Sequence, residues 1–270
     1  MPDPREELVR SHQAWIYNLA LRVLAHPQDA EDATQEILIK AVTRLSSFEG
    51  RSSLRTWLYR IAVNHVLNMK RGRRERPALT FACYAHGLDA TPDLELPDQR
   101  SVPADVRLLV DEARLGCTTG MLLCLDREQR VIYILGEIFG VTDAVGAELL
   151  DMSRANFRQQ LTRARRDLHS FMNEKCGLVN PANPCRCARK TRGFIEAGYV
   201  NPANLRFARE HVRRVRDVVR TKAETLSTLD ARCGEIFREH PFYESPDLVS
   251  ALRRLLASPD FARATTPDER

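Results

Sequence analysis

The sequence has no early segment in which basic residues precede an apolar run, and it has no long apolar stretch. Among its 270 residues no run approaches the ~18 uncharged apolar residues that a membrane-spanning helix requires. We therefore expect neither a secretion signal nor membrane insertion, and we predict a cytoplasmic protein.

A large excess of charge of one sign is also lacking, since the formal net charge is only +5. The distribution is more informative than the total. Residues 51–76 hold eight arginines and lysines against one acid, Glu75, and residues 154–166 hold five arginines and no acid. Two separated basic blocks predict either two contacts with a polyanion such as nucleic acid or two solvated helix faces.

Signatures of catalysis are absent as well. The sequence shows no nucleophile–base pair, no phosphate-binding loop and no paired catalytic carboxylates, so we predict that the protein is not an enzyme. Its seven cysteines are odd in number and mostly scattered. In a chain without a secretion signal we expect them to be reduced thiols rather than a disulfide framework.

Helical periodicity is what the first part of the sequence does contain, because apolar residues recur at helical spacing through residues 5–76. One helix begins near Asp29 and lines up the carboxylates of Asp29, Asp32 and Glu36 at positions i, i+3 and i+7. Acids in a first helical turn are also what the helix dipole favours. The next helix presents a polar face opposite its apolar one, made of Arg60, Asn64 and Asn68.

Residues 77–103 differ in character, with four prolines, a locally acidic run and no persistent period, which is typical of a linker. Helical periodicity returns in residues 104–172. Within this block Thr142 and Ser153 can each cap a helix. A short helix, a tight turn at 151–153 and a longer helix with a basic outer face together predict a helix-turn-helix.

A C-terminal extension occupies residues 173–270, and helical patterning resumes there over 205–229 and 248–256. The pentapeptide Val-Asn-Pro-Ala-Asn occurs twice, at 179–183 and 200–204, a repeat too short to predict a solenoid. We therefore predict an all-α protein. Two small helical domains are joined by a flexible linker and followed by a mainly helical extension.

Three segments, in this order, resemble the extracytoplasmic-function sigma factors, group IV of the sigma-70 family. Asp-Ala-Glu-Asp-Ala-Thr-Gln-Glu (29–36) and Phe-Glu-Gly-Arg-Ser-Ser-Leu-Arg-Thr-Trp-Leu-Tyr-Arg-Ile-Ala-Val-Asn (48–64) look like their region 2. Leu-Thr-Arg-Ala-Arg-Arg-Asp-Leu (161–168), in the predicted helix-turn-helix, looks like their region 4. The resemblance implies region 2 at 5–76, a linker at 77–103 and region 4 at 104–172. It also implies that the protein gives RNA polymerase its promoter specificity in transcription initiation.

Roles for region 2 follow from the same resemblance. The partner would be core RNA polymerase, which contains the β′ and β subunits. The acidic face of region 2 would bind the basic coiled coil of β′ through Asp29, Asp32, Gln35 and Glu36. Region 2 would read the minus-10 element as unpaired DNA, whose bases need stacking surfaces and whose backbone needs positive charge. The residues implied are Phe48, Arg51, Ser52, Arg60, Asn64 and Asn68. The core-facing position of Trp57 favours a packing role.

In region 4 the second helix of the helix-turn-helix would enter the major groove of the minus-35 element. Arginine can hold guanine, and glutamine adenine, through two hydrogen bonds, whereas Arg165 and Arg166 are placed to meet phosphates. The outward set is Arg154, Asn156, Arg158, Gln159, Thr162, Arg163, Arg165 and Arg166. Two departures from the family pattern, Gly146 in the first helix and Asp151 in the turn, predict that the first helix is weak.

The cysteines of the extension allow three interpretations. Cys176, Cys185 and Cys187 lie within twelve residues, and with a fourth ligand such as Cys233 or His211 they could hold a zinc ion tetrahedrally. A second interpretation is a reversible thiol switch, because the cations that follow Cys185 favour thiolates; these are Arg186, Arg189 and Lys190. In the third the cysteines are purely structural. The implied function itself requires no cofactor.

The extension is absent from the minimal family pattern. We hypothesise that it folds against one of the two DNA-binding blocks and regulates access to it, replacing or assisting a separate anti-sigma factor. An alternative function is a stand-alone helix-turn-helix regulator that responds to metal or redox state. Such a regulator needs neither the acidic face at 29–36 nor the basic block at 51–76, so these two features favour the sigma factor.

Overall fold

The computed structural model describes residues 3–69, 79–94, 104–207 and 228–256, and every regular element within these ranges is helical. The all-α prediction is confirmed. The α-helices of the described ranges are α1 Pro4–Leu24, α2 Pro27–Thr43, α3 Leu54–Asn68, α4 Phe81–Ala90, α5 Ala104–Leu122, α6 Arg127–Tyr133, α7 Asp143–Leu149, α8 Arg154–Lys175, α9 Cys187–Glu196, α10 Thr228–Arg238 and α11 Leu248–Leu256.

The chain divides into two compact units. The first comprises residues 1–69 and 242–270, and the second comprises residues 70–241. None of the described helices is both long enough and apolar enough to cross a bilayer. Three predicted features lie outside the described residues: the basic cluster 70–76, the second half of the predicted linker and most of the helical pattern at 205–229, with His211 in it.

The first unit is built on α1, α2 and α3, which begin where the sequence supplies helix-starting residues. Asp3 and Ser53 cap α1 and α3 through their side chains, and Pro27 is the first residue of α2. The apolar faces of the three helices meet in a core that includes the fully buried side chains of Ile16, Leu19, Ile37 and Leu58.

The end of the C-terminal extension belongs to this first unit. Asn18 of α1 bonds the main chain of Tyr243 in both directions: its Nδ2 donates to the Tyr243 carbonyl at 2.7 Å, and the Tyr243 N–H donates to its Oδ1 at 2.8 Å. On α11, Arg253 donates to both carboxylate oxygens of Glu6, at 2.5 and 2.6 Å. The extension therefore adds a fourth helix to the first unit.

In the second unit α7 and α8 form the predicted helix-turn-helix. Thr142 and Ser153 cap the two helices as expected, accepting backbone N–H bonds at 3.4 and 3.1 Å. In the turn between them Asp151 has a φ of 52°, a left-handed conformation that aspartate adopts more readily than most other residues with a side chain. An aspartate can therefore stand where related turns carry glycine.

Gly146 is a packing requirement of the motif. A Cβ atom at this position would lie 2.4 Å from two ring atoms of Phe157 on α8, and Phe157 is only 1% exposed. The glycine therefore lets the aromatic ring pack directly against the backbone of α7. This contact compensates for the low helix propensity of glycine, and α7 is complete from Asp143 to Leu149.

The helix α10 of the extension completes the core of the second unit. α6 continues into a π-helical segment, Ile134–Ile138, which α10 contacts. The ring of Phe237 on α10 packs against Tyr133 with centroids 5.6 Å apart. The Tyr133 hydroxyl lies 2.9 Å from His169 Nε2, and His169 Nδ1 lies 2.7 Å from the carboxylate of Asp230 on α10.

The segment predicted as a linker without persistent periodicity contains a helix, α4. Thr80 caps it by accepting from the Cys83 N–H at 3.1 Å, and the rings of Phe81 and Tyr84 lie 5.1 and 5.9 Å from that of Phe171 on α8. The sequence pattern misses this helix because α4 has only ten residues and prolines flank it on both sides. Tertiary packing, rather than a long amphipathic repeat, stabilises it.

The repeated pentapeptide forms the same turn twice, once after α8 and once after α9. In the first copy Asn180 Oδ1 accepts from the Ala182 N–H at 3.1 Å, and in the second Asn201 Oδ1 accepts from the Ala203 N–H at 3.0 Å. The valine that begins each copy is buried. The repeat is therefore a turn used after two helices, consistent with the expectation that it is not a solenoid.

The packing of Phe157 on Gly146 predicts that Gly146→Ala lowers the free energy of unfolding by about 1–3 kcal/mol, because ring or backbone must shift to admit the methyl group. Gly87→Ala in α4 is the matched control, since its Cβ would meet nothing within 4 Å; it should raise stability by up to about 1 kcal/mol. Urea unfolding of both variants checks this. Equal stability of Gly146→Ala and the parent chain would contradict the packing.

Candidate functional site

The acidic face of α2 is accessible in the first unit. Asp32, Gln35 and Glu36 are exposed, and Asp29 is half-buried beside His26, whose Nδ1 accepts the Asp29 backbone N–H at 3.3 Å. The predicted i, i+3, i+7 spacing thus presents carboxylates on one side of a helix whose other side fills the core. A cationic protein surface is the natural partner for such a face.

The imidazole of His65 lies behind this acidic face. His65 of α3 is 3.8 Å from Glu36 and 2.8 Å from the Lys40 ammonium. Burial, with the charge of Lys40, holds the pKa of His65 below its usual range. Near neutral pH the ring therefore accepts a hydrogen bond from Lys40 and adds no positive charge that would weaken the acidic face.

The polar face of α3 forms a second accessible surface of the first unit. Arg60, Asn64 and Asn68 are exposed at positions i, i+4 and i+8, as the sequence predicts. The loop before α3 brings Phe48 against Trp57, with ring centroids 5.4 Å apart. Both rings are half-buried, so Trp57 has the packing contact expected of it.

Arg51 and Ser52 lie in the same loop, directly before α3. Arg51 is highly exposed and contacts Glu49 at 2.5 Å, while Ser52 is partly buried. An exposed ion pair of this kind contributes little to stability, so Arg51 can exchange its carboxylate for a phosphate at small cost. Aromatic rings, amides and an exposed cation on one surface are the groups that single-stranded nucleic acid needs.

The outer face of α8 is the third accessible surface, and it lies in the second unit. Arg158 pairs with Asp143 at 3.6 Å, and both side chains are exposed. Thr162 donates to the Arg158 carbonyl at 2.8 Å. Seven of the eight residues predicted to face DNA are exposed: Arg154, Asn156, Arg158, Gln159, Thr162, Arg163 and Arg166. This array of cations and hydrogen-bonding groups on one helix can contact base edges and phosphates together.

Arg165, the eighth residue of that set, has a different environment. Its Nε donates to Glu137 at 2.7 Å, and Arg238 of α10 donates to the other oxygen of the same carboxylate at 2.6 Å. The Glu137 side chain is 2% exposed. Sequence reasoning missed this carboxylate, although a signal was present: it is the lone charged residue in the apolar run 131–139.

All seven cysteines are free thiols. In the described parts of the chain no group of three or more histidine, cysteine, aspartate or glutamate side chains is arranged to hold a metal ion. The geometry therefore adds no support for zinc at Cys176, Cys185 and Cys187, which stays a prediction.

The thiols of the extension are not activated by their cationic neighbours. Burial raises the pKa of Cys176, Cys185 and Cys187, the last to about 12. Lys190 lowers the pKa of Cys185, but burial outweighs it. Arg186 instead donates to backbone carbonyls within 181–185. The raised pKa values give no support to a reactive thiol switch, which stays a prediction.

The sequence is similar to that of known proteins. Residues 8–76 match the family model described as Sigma-70 region 2. ECF RNA polymerase sigma factor SigG of Mycobacterium tuberculosis is 34% identical over 167 residues, which cover 55% of this chain and 43% of SigG. RNA polymerase sigma factor YlaC of Bacillus subtilis is 31% identical over 175 residues, which cover 64% of this chain and 94% of YlaC.

Among solved structures, the sigma factor RpoE in complex with the anti-sigma factor NepR from Bartonella quintana is similar at a TM-score of 0.42 and 19% identity. The match covers 62% of this chain and 95% of that chain.

The burial of the cysteines predicts which thiols react. Cys83 is exposed, whereas burial raises the pKa of each of the other six thiols. These six thiols therefore hold little thiolate at pH 8. In the native protein we expect Ellman's reagent to modify one of the seven thiols quickly, and this fast phase should vanish in Cys83→Ser. Denaturant should release all seven. Fast reaction of Cys176, Cys185 and Cys187 in the native protein would contradict the prediction that these three thiols are shielded from the reagent.

Proposed function

Because the chain belongs to the RNA polymerase sigma factors of the extracytoplasmic-function type, we propose that it binds core RNA polymerase and directs promoter-specific transcription initiation. The observation that carries this proposal is the pairing, in one small unit, of an exposed acidic helix face with an exposed face of cations and amides. The first face suits a protein partner and the second suits nucleic acid. A sigma factor needs both, and it acts as a regulator rather than as a catalyst.

The acidic face of α2 is the proposed contact with the polymerase. Asp32, Gln35 and Glu36, with Asp29 at the helix start, would meet a basic coiled coil of the β′ subunit. Their exposure and the absence of positive charge on His65 support this assignment. Complementary charge of this kind speeds association and excludes wrong partners. The protein would work in the cytoplasm, with the polymerase.

The polar face of α3 and the loop before it are the proposed contact with the minus-10 element. An unpaired base could stack near the Phe48 and Trp57 rings, while Arg51 and Arg60 would neutralise the strand backbone. Asn64 and Asn68 can each donate to and accept from a base edge. Ser52 completes the set with a hydroxyl at the base of the loop.

The outer face of α8 is the proposed contact with the minus-35 element. Arg154, Arg158 and Gln159 lie near the start of the helix, where side chains of a helix-turn-helix reach base edges. Arg166 lies further along and suits a phosphate contact. Between the two DNA contacts, the linker at 77–103 would run as an extended acidic chain through the active-site channel of the polymerase toward the RNA exit.

A stand-alone helix-turn-helix regulator remains the alternative, since α7 and α8 alone would bind duplex DNA. The acidic face separates the two functions. Reversing its charge with Asp32→Lys and Glu36→Lys should weaken core polymerase binding at least about ten-fold, because like charges brought together cost several kcal/mol. A stand-alone regulator does not use this face, so the charge reversal would leave its function unchanged.

Binding of the full chain to core polymerase, measured by fluorescence anisotropy, tests this. The matched control is Glu7→Lys with Glu244→Lys, which makes the same change in net charge at two exposed positions of the first unit. The control should bind like the parent chain. Equal binding by both double variants would contradict the proposed polymerase contact.

The exposed arginines of α8 predict two kinds of defect in promoter binding by the holoenzyme. Arg158→Ala should cost about 1–3 kcal/mol at one base pair of the minus-35 element and relax specificity there, whereas Arg166→Ala should weaken all sequences alike and reduce the slope of the salt dependence by about one. Filter binding at several salt concentrations distinguishes them. A uniform loss for Arg158→Ala would contradict its role at a base edge.

A further inference from the structure

The C-terminal extension binds the segment that the sequence analysis assigns to the linker. Lys190 of α9 is 6% exposed, and its ammonium donates to the carbonyl oxygens of Leu88, at 3.1 Å, and of Thr91. The Asp93 carboxylate lies 3.3 Å away. These partners are the last turn of α4 and the residues that follow it, so one buried cation binds the C-terminal end of the linker helix.

This position suits a cation for a general reason. The last carbonyls of a helix have no partner within the helix and carry the negative end of its dipole. With a buried charged donor, Lys190 satisfies the Leu88 carbonyl in the last turn of α4 and the carbonyl of Thr91, which follows the helix directly. Asp93 is also the first acid of the run 93–98, so the ammonium pairs with the beginning of the acidic part of the linker.

The backbones of α9 and the linker also meet directly. The Leu94 N–H donates to the Arg189 carbonyl at 3.0 Å. A Cβ on Gly193 would lie 2.7 Å from Thr91 Cγ2 and 2.8 Å from the Pro92 carbonyl oxygen. The glycine therefore allows the backbone of α9 to approach the linker more closely than any side chain would permit. The two segments are closely packed at this point.

The opposite side of α4 lies against the helix-turn-helix unit. The Tyr84 hydroxyl donates to the Cys117 carbonyl of α5 at 2.7 Å, and Lys175 of α8 pairs with Asp89 at 2.8 Å. Leu88 and Phe194 share one apolar cluster between α4, α5 and α9. Residues 81–94 are thus held between the predicted region 4 and the extension.

We propose that α9 is a clamp that holds residues 81–94 of the linker, and that these contacts must break before the protein is active with RNA polymerase. The proposal rests on the proposed function, in which the linker runs extended through the polymerase. A helix whose end is bound by Lys190 and an extended chain inside another protein are mutually exclusive states of the same residues. The extension therefore acts on the linker, and this gives the hypothesis of a regulatory extension a definite contact.

Lys190→Met tests the clamp in the full chain, because it keeps the aliphatic stem and removes the ammonium. Loss of charge-assisted bonds should speed hydrogen exchange of the Leu94 amide at least about ten-fold and raise run-off transcription with core polymerase several-fold. Gly193→Ala should act in the same direction. Arg192→Ala is the matched control, since Arg192 is an exposed cation on the same helix that contacts Glu196; it should change neither readout.

Gly87→Ala tests the clamp in the opposite direction without disturbing a contact. The methyl group would lie in open space and favour the helical form of α4 by up to about five-fold, so transcription should fall by a similar factor. If Lys190→Met lowers the stability of the whole unit, this variant keeps the test decisive. Transcription that stays the same or rises would then overturn the clamp.

Two failures are distinguishable. If the Leu94 amide exchanges faster in Lys190→Met while transcription does not rise, the clamp exists but does not regulate, and the inference is wrong while the proposed function stands. If neither the parent chain nor any variant binds core polymerase or initiates, the proposed function is wrong and the inference falls with it.

Discussion

The second unit depends on the ion pairs that the buried carboxylate of Glu137 makes with two arginines. A charge removed from water is costly unless it is paired and hydrogen-bonded, and Glu137 takes its two partners from different helices: Arg165 from α8 and Arg238 from α10. The ion pairs therefore fix which side of α8 faces inward. The remaining arginines of that helix are left on its outer side, as an array that can meet DNA.

The same constraint ties the extension to the rest of the chain. Besides α10, which supplies Arg238 and the buried Phe237 to the second unit, α9 holds the linker helix, and Tyr243 is bound by Asn18 in the first unit. The described parts of the extension, 173–207 and 228–256, thus pack against several elements of both units. Deleting all of it would remove core residues as well as the linker clamp, so single substitutions separate regulation from stability better than truncation does.

Local sequence signals predicted much of the fold and of the exposed surfaces. Capping residues such as Thr142 and Ser153 and the i, i+3, i+7 acids of α2 act within one or two helical turns, so they can be read without the fold. The helix α4, the role of Glu137 and the contacts of Arg165 could not, because each depends on partners at least 28 residues away. Gly146 seemed a defect in the sequence because its partner, Phe157, lies on the next helix.

Run-off transcription tests the central claim most directly. Purified bacterial core polymerase, the full chain and a template library carrying the upstream region of its own gene would be combined, with core polymerase alone as the reference. We expect initiation at defined start sites, preceded by two common sequence elements, only when the protein is present. No initiation, together with no binding to core polymerase, would contradict it and favour a stand-alone regulator.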